Sequence, residues 1–445
     1  MSDEPAAGAK VPHGAKVEDG AKVGHGGKDR PRSLWQRTGG PDRRDTFLGD
    51  LWSSNTVTVT ALAIVLAAVI GGILIIVSTP DVLAKYSYFF ARPGDAFGAS
   101  WSVVSEAYAN LFKGSILDWE AVAGWIDGTN GWELVFFPIS ETLSYATPLI
   151  FTGLCVALAF RGGLFNIGAQ GQAIIGVALA GLAGFVFHLP VVVHLIVALI
   201  AGAIGGLIWG FLPGILKART GAHEVITTIM LNYVALLFLN WLILQKGVKS
   251  EARSDAISKD VLSTAKLPRL LGDNLRVDSG IILAIAVTAG VGWLLNRSTF
   301  GFELRAVGAN PDAARTAGIS VPRTVVLVMA LAGALAGLGG ASAVLGAQAS
   351  ALTGTVAGNI GFDGIQVALL GRVKPWGVVV AALLFGALRA GGNRMQSYSG
   401  ISLELVTVLQ ALIVLFVAAP ALVKAVFRLR DARAARLGTS VGKGW

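Results

Sequence analysis

Eight long apolar runs constrain what this chain can fold into more than any other feature of its sequence. A helix needs about 20 predominantly apolar residues to cross the roughly 30 Å hydrocarbon core of a bilayer. The runs occupy Thr56 to Ser78, Thr142 to Phe160, Asn166 to Phe187, Leu189 to Leu212, Val225 to Gln245, Ser279 to Asn296, Thr324 to Ala347 and Ile401 to Val423. Only 14% of the residues are charged, against about 25% in soluble proteins, which excludes a soluble enzyme. We therefore predict an all-α, polytopic transmembrane helical bundle.

A ninth apolar region, residues 362–388, is interrupted by a polar stretch. The sequence Gly371-Arg-Val-Lys-Pro375 divides it into pieces of about ten and thirteen residues, and neither is expected to cross a bilayer alone. Glycine and proline at these positions predict a helix break at Gly371 and Pro375. A broken or hairpin segment added to eight full spans gives nine or ten crossings.

Small residues repeat at a four-residue step in two of the predicted spans. Gly202, Gly206 and Gly210 lie in one span, and Gly333 and Gly337 in another. Such stripes let transmembrane helices approach closely. We interpret both as packing faces.

The charges of the tails predict the orientation of the chain. Residues 1–54 are polar and repetitive, which predicts a disordered cytoplasmic tail. The transmembrane domain is expected at residues 55–423 and a basic tail at residues 424–445. Six Lys or Arg follow Leu422 against one Asp, and the positive-inside rule places such a segment in the cytoplasm. Both termini and the loop 297–323 are therefore expected in the cytoplasm.

Residues 79–141 are expected on the outer face. This segment contains Trp101, Trp119, Trp125 and Trp132, and aromatic side chains favour the headgroup level of a bilayer. We predict interfacial helices here. A small folded cap is the alternative.

The sequence offers no set of residues for catalysis. A P-loop and an H-E-x-x-H motif are both absent from it, and nothing resembles a Ser-His-Asp set. The chain is thus expected to be a non-catalytic protein that binds no metal or cofactor of its own.

Neutral polar side chains are instead found within two of the spans. Asn166, Gln170 and Gln172 precede or begin one, and Asn232 and Tyr233 lie in another. Amide and hydroxyl groups suit hydrogen bonding to a neutral, hydroxyl-rich solute. Contacts between helices are the alternative use for them.

The loop 297–323 contains a short helix signal. Asn310 is typical of an N-cap and Pro311 of the first helical position, and Gly318 ends the pattern after Thr316. A short, alanine-rich helix has little core to pack against in its own chain. Docking on a partner is the natural use, and a simple connector is the alternative.

Four motifs resemble the permease subunit of an ABC importer, in the superfamily that handles ribose, branched-chain amino acids and nucleosides. The motifs are Arg161-Gly-Gly-Leu-Phe-Asn-Ile-Gly-Ala-Gln-Gly-Gln172, Glu224-Val-Ile-Thr-Thr-Ile-Met-Leu-Asn-Tyr233, the 301–318 loop with Leu304-Arg-Ala-Val-Gly-Ala-Asn310, and Gly361-Phe-Asp-Gly-Ile-Gln-Val-Ala-Leu-Leu-Gly371. The first two motifs are most similar to the nucleoside branch.

The resemblance implies both partners and roles for residues. The partners are a cytoplasmic ABC ATPase that holds ATP and Mg²⁺, a second homologous permease, and an extracytoplasmic solute-binding lipoprotein; nucleic acid is not among them. The chain would lie in the bacterial cell membrane. The 301–318 loop would contain the coupling helix that meets the ATPase, with Arg305, Gly308, Asn310, Ala313, Ala314 and Gly318.

We further expect helix breaks to line the solute path. These breaks are at Gly168 and Gly171, and at Gly371 and Pro375, since irregular backbone at membrane depth is tolerated only against protein or water. Asn166, Gln170, Gln172, Asn232 and Tyr233 are the predicted solute contacts. One departure is Gln170, where members of the family commonly carry Glu.

Three alternatives remain open at this point. A permease for a simple sugar or a branched-chain amino acid would differ only in the side chains along the path. A secondary carrier would depend on an ion gradient rather than on ATP. A membrane-embedded enzyme or a channel would need neither a docking loop nor a partner ATPase.

Overall fold

The computed structural model describes residues 56–427, and every regular element in this range is a helix. The predicted tail 1–54 and most of the predicted tail 424–445 lie outside the described residues. The helices before the long loops are α1 (Thr56–Ser78), α2 (Pro80–Tyr86), α3 (Pro93–Ser115), α4 (Trp119–Ile126), α5 (Trp132–Arg161), α6 (Ala169–Val186), α7 (Val191–Thr220) and α8 (Glu224–Ile243). The later ones are α9 (Gly280–Arg297), α10 (Thr299–Ala309), α11 (Pro311–Thr316), α12 (Val321–Leu345), α13 (Ile360–Leu370), α14 (Pro375–Ser399), α15 (Leu403–Ala418) and α16 (Pro420–Val426).

Eight of the described helices are long and apolar enough to cross a membrane. They are α1, α5, α6, α7, α8, α9, α12 and α14. The helix pair α15 and α16 qualifies only when taken together, and it is bent by 91°. The prediction of a polytopic helical bundle with about eight full spans and a broken segment is confirmed.

Two segments nevertheless differ from the prediction. The second piece of the interrupted region is a full-length helix, α14, because its helix continues past Leu388 through polar residues that find partners. Asn393 donates a hydrogen bond to the hydroxyl of Tyr145 (2.9 Å), and Arg394 pairs with Asp118 at 2.7 Å.

The last predicted span is not one straight helix. Helix α15 ends at Ala418, and Pro420 begins α16 after a sharp bend. Proline lacks a backbone N–H and clashes with the preceding turn of a helix, so an apolar run through this residue does not predict a continuous span.

Two other boundaries also differ from the prediction. Helix α5 begins at Trp132, ten residues before the predicted start at Thr142, so the segment ahead of it ends at residue 131. Helix α7 continues to Thr220 with Pro213 inside it. In α5 the added residues include Glu133 and Glu141, and in α7 they include Lys217 and Arg219, charges at which an apolar run is cut short.

The two glycine stripes pack against each other. A Cβ atom at Gly206 would overlap the backbone oxygen of Gly333, and one at Gly337 would overlap that of Gly202. Helices α7 and α12 therefore touch backbone to backbone, as the four-residue spacing predicts for membrane helices. Helix α6 joins the same contact through Gly176.

The segment before α5 forms three helices, α2 to α4, of which α3 is the longest at 23 residues. Trp101 on α3 is 76% exposed, and Phe97 is 62% exposed. Such exposed aromatic side chains fit the predicted place at a membrane interface. This placement stays a prediction.

Candidate functional site

A break in the helical chain between α5 and α6 is held by a buried polar network. Asn166 donates a hydrogen bond to the side-chain oxygen of Gln172 (3.0 Å), and its own Oδ1 accepts the backbone N–H of Gly168 (3.0 Å). The thiol of Cys155 contacts both amides at 3.4 Å. Asn166 and Gln172 are 0% and 1% exposed, so these two predicted solute contacts lie inside the scaffold of the break.

Asn232 fixes the same break from helix α8. Its Oδ1 accepts the backbone N–H of Gly171 (2.8 Å), and its Nδ2 donates to the backbone oxygen of Ile167 (3.0 Å). Gly168 is the N-cap of α6, while Gly171 lies within its first turn. Two of the N–H groups that a helix start leaves without a backbone partner, those of Gly168 and Gly171, are thus satisfied by side chains.

Gln170 joins the start of α6 to the segment that leads into α13. Its Nε2 donates to the backbone oxygen of Gly358 (2.7 Å), and its Oε1 accepts the backbone N–H of Gly361 (2.8 Å). The carbonyl oxygen of Gly358 can only accept a hydrogen bond, and the N–H of Gly361 can only donate one. The two partners therefore fix the orientation of the Gln170 side-chain amide. No side chain fits at Gly361, where a Cβ atom would overlap the backbone of Gln170.

These elements enclose a cavity of about 820 Å³, the size range of small-molecule sites. Its walls come from α5, α6, α8, α12, α13, α14 and α15 and from the segment that precedes α13. Of the five predicted solute contacts, Gln170, Asn232 and Tyr233 line the cavity, and Tyr233 is 64% exposed. Asn166 and Gln172 do not line it.

Four further residues at the cavity escaped sequence reasoning. They are Phe362, Asp363, Arg389 and Gln410. Asp363 is part of the fourth family motif, and Arg389 is a charge within the span α14. Charged residues inside spans are rare and mark functional paths. The sequence analysis did not single out Arg389 because it placed the end of the apolar region at Leu388, one residue before it.

The break between α13 and α14 is irregular backbone. Gly371 is the C-cap of α13, and Pro375 is the first residue of α14. Between them Arg372 and Val373 have φ angles of +53° and +56°, a region that costs a β-branched residue free energy.

One side chain ties this break to α5. Arg161, at the end of α5, donates from Nε to the backbone oxygen of Val373 (3.1 Å). This contact helps to hold the strained turn in place, because the guanidinium supplies a donor to an otherwise unpaired carbonyl group at the break.

The loop between α9 and α12 contains two helices, α10 and α11, where one short helix was predicted. Helix α11 has the predicted bounds, Pro311–Thr316. The side chain of Asn310 caps it by accepting the N–H groups of Asp312 (3.0 Å) and Ala313 (3.1 Å). Gly318 follows with a φ of +84°, a conformation that favours glycine.

This loop touches the end of α5 at a pair of glycines. A Cβ atom at Gly308 would overlap the backbone oxygen of Arg161 and would lie 2.9 Å from the nitrogen of Gly163. Gly163 itself has a φ of +72°. Arg161 therefore contacts both the C-terminal end of α10, at Gly308, and the break between α13 and α14, at Val373.

The remaining predicted residues of the loop divide between core and surface. Ala314 is buried at 3% exposure, which fixes α11 against the protein. Arg305 donates from Nε to the backbone oxygen of Gly301 (3.2 Å). Within residues 56–427, three or more His, Cys, Asp or Glu side chains nowhere gather as a metal site would require.

Comparison with known proteins gives consistent matches. The family model described as "Branched-chain amino acid transport system / permease component" matches residues 139–418. The guanosine ABC transporter permease protein NupP of Bacillus subtilis is 40% identical over 64% of this chain and 83% of its own length. The nucleoside ABC transporter permease protein NupB of Lactococcus lactis is 39% identical over 63% of this chain and 79% of its own.

A third relative is named for a different solute. The glucose ABC transporter permease protein TsgB13 of Haloferax volcanii is 34% identical over 63% of this chain and 76% of its own length. No solved structure matches the chain significantly.

Proposed function

Because the chain belongs to the family of permease components of the branched-chain amino acid transport system, we propose that it is the permease subunit of an ATP-driven importer and carries a nucleoside into the cell. The cavity of about 820 Å³ beside the break between α5 and α6 carries this proposal. It offers a space of the right size for a small solute, next to backbone that is irregular at membrane depth. The relatives named for guanosine and nucleosides support this solute class.

The mechanism proposed is alternating access. The cavity walls include α13 and the start of α6, which are joined through the hydrogen bonds of Gln170 and the tight fit of Gly361. Movement of α13 against α6 would open or close the path. The strained turn at Arg372 and Val373 gives α13 a hinge at its other end.

The energy for transport would come from ATP hydrolysis by a partner subunit. A cytoplasmic ABC ATPase would hold ATP and Mg²⁺ and push on α11, so this chain needs no cofactor and performs no chemistry. The contact between Gly308 and Arg161 would pass that movement to α5 and to the hinge. A second homologous permease and an extracytoplasmic solute-binding lipoprotein would complete the importer, in a bacterial cell membrane with both termini of this chain in the cytoplasm.

A simple sugar is the second candidate solute, because one relative is named for glucose. Uptake of labelled guanosine by cells that contain the complete importer separates the candidates. We expect excess unlabelled nucleosides to reduce this uptake and excess ribose, glucose or leucine to leave it unchanged. Failure of every nucleoside to compete, with competition by a sugar or leucine, would contradict the proposed solute.

A further inference from the structure

Two charged side chains, one acidic and one basic, face the cavity. Asp363 on α13 and Arg389 on α14 both line it. In the part of the chain that the structure describes, no hydrogen bond or salt bridge engages either side chain, although the positive charge of Arg389 acts on the carboxylate of Asp363. An unengaged carboxylate and an unengaged guanidinium therefore border the same space.

Two other charged side chains, Arg394 on α14 and Glu141 on α5, are paired. Arg394, one and a half turns beyond Arg389, bonds to Asp118 at 2.7 Å. Glu141 at the outer part of α5 pairs with Arg276 at 3.0 Å. Charge within a membrane protein is costly and usually functional, so Asp363 and Arg389, which border the cavity without such a pair, are candidates for a use other than structural pairing.

The neutral polar groups of the cavity are mostly committed to the protein itself. Gln170 and Asn232 bond to backbone groups at both ends of their amides. Gln348 donates to the backbone oxygen of Ser144 (2.7 Å). A solute in the cavity would accordingly find its strongest available polar partners in Asp363 and Arg389.

We infer that Asp363 and Arg389 form a charged subsite for a 6-oxopurine ribonucleoside, an inference that rests on the proposed nucleoside transport. Ionised Asp363 is an acceptor with two oxygens, and it would take the two vicinal hydroxyl protons of ribose. Arg389 carries a planar fork of N–H donors, which matches the two acceptors, O6 and N7, on one edge of guanine.

The apolar lining fits the same ligand. Phe362 is 41% exposed and Tyr233 is 64% exposed, and both line the cavity. Aromatic faces bind a nucleobase by stacking, and only the nucleobase among the candidate solutes offers a planar π-face for this contact. A zwitterionic amino acid would also pair with these side chains, its ammonium group with Asp363 and its carboxylate with Arg389. Leucine is therefore tested as a competitor.

The test compares solutes through the complete importer, with the permease as wild type, Asp363→Asn or Arg389→Gln. Uptake of labelled guanosine and labelled 2′-deoxyguanosine is measured side by side, and their ratio is independent of how much permease reaches the membrane. We expect Asp363→Asn to reduce the preference for guanosine by about tenfold, since a hydrogen bond to a charged group is lost. Glu404→Gln is the matched control, because Glu404 does not line the cavity, and it should leave the ratio unchanged.

Arg389 is tested with a base that lacks the O6 acceptor. We expect Arg389→Gln to reduce the preference for guanosine over 2-aminopurine riboside by about tenfold, and Arg389→Lys to recover only part of it because lysine has no fork. If each variant reduced the uptake of both solutes in its pair equally, the residues would have a structural role and the proposed subsite would be wrong. The proposal of nucleoside transport would still stand. Competition by leucine in the wild type that is lost in both variants would also contradict the subsite, because it would indicate a site for a zwitterionic amino acid.

Discussion

Gly308→Val is expected to reduce solute uptake at least tenfold, the change that a loss of about 1.4 kcal/mol produces. A side chain at this position would overlap the backbone of Arg161, which cannot move aside as a flexible side chain could. Overpacking of this kind costs about 1–3 kcal/mol. The contact between the loop and α5 would open, and movement of α11 would no longer reach the cavity. The measurement is labelled-solute uptake, corrected for the permease present in the membrane.

The matched control is Gly290→Val on α9, where an added Cβ would meet no atom within 4 Å. It makes the same chemical change in a helix of the same chain and should keep near-normal uptake. ATP hydrolysis by the assembled importer gives a second reading for Gly308→Val, which should hydrolyse ATP without transport. Uptake equal to that of Gly290→Val would show that the loop is only a connector.

Gln170→Leu is expected to have the second large effect on uptake. It leaves the oxygen of Gly358 and the N–H of Gly361 without their partner, at about 1–3 kcal/mol for each buried group that stays unsatisfied. The segment that positions α13 would lose its attachment to α6. Uptake should fall at least tenfold while the folded protein stays in the membrane.

Gln170→Glu separates the two hydrogen bonds. The carboxylate still accepts from Gly361, but it faces the oxygen of Gly358 with a second acceptor and donates nothing unless it is protonated. We expect uptake between that of wild type and Gln170→Leu, and relative to wild type it should improve as the pH falls, because the protonated carboxyl regains the donor. An effect that grows as the pH falls would contradict this account of the position.

The sequence predicted the architecture and several local features for identifiable physical reasons. The cap at Asn310 and proline at the first helical position predict α11 to the residue, and glycine spacing predicts packing faces on α7 and α12, which the structure brings together. The four motifs indicated a family resemblance that the comparisons confirm. These signals are local in sequence, so no tertiary information was needed to find them.

Two features that the sequence did not reveal depend on partners elsewhere in the fold. Helix α14 extends because Arg394 finds Asp118, a residue almost three hundred positions earlier in the chain. Asn166 and Gln172 were predicted to contact solute, but the fold places them against each other and Cys155. Amide side chains serve a solute or a helix break equally well by type alone, so the sequence could not distinguish the two uses.

The most direct test of the proposed import measures transport in proteoliposomes that contain the complete importer with its solute-binding protein. Labelled guanosine uptake is followed with ATP or a non-hydrolysable analogue on the side of the ATPase, and with ionophores that dissipate proton and sodium gradients. We predict accumulation that requires ATP hydrolysis and is indifferent to the ionophores. Accumulation that persists without ATP and disappears with the ionophores would contradict the account and assign the chain to an ion-coupled carrier.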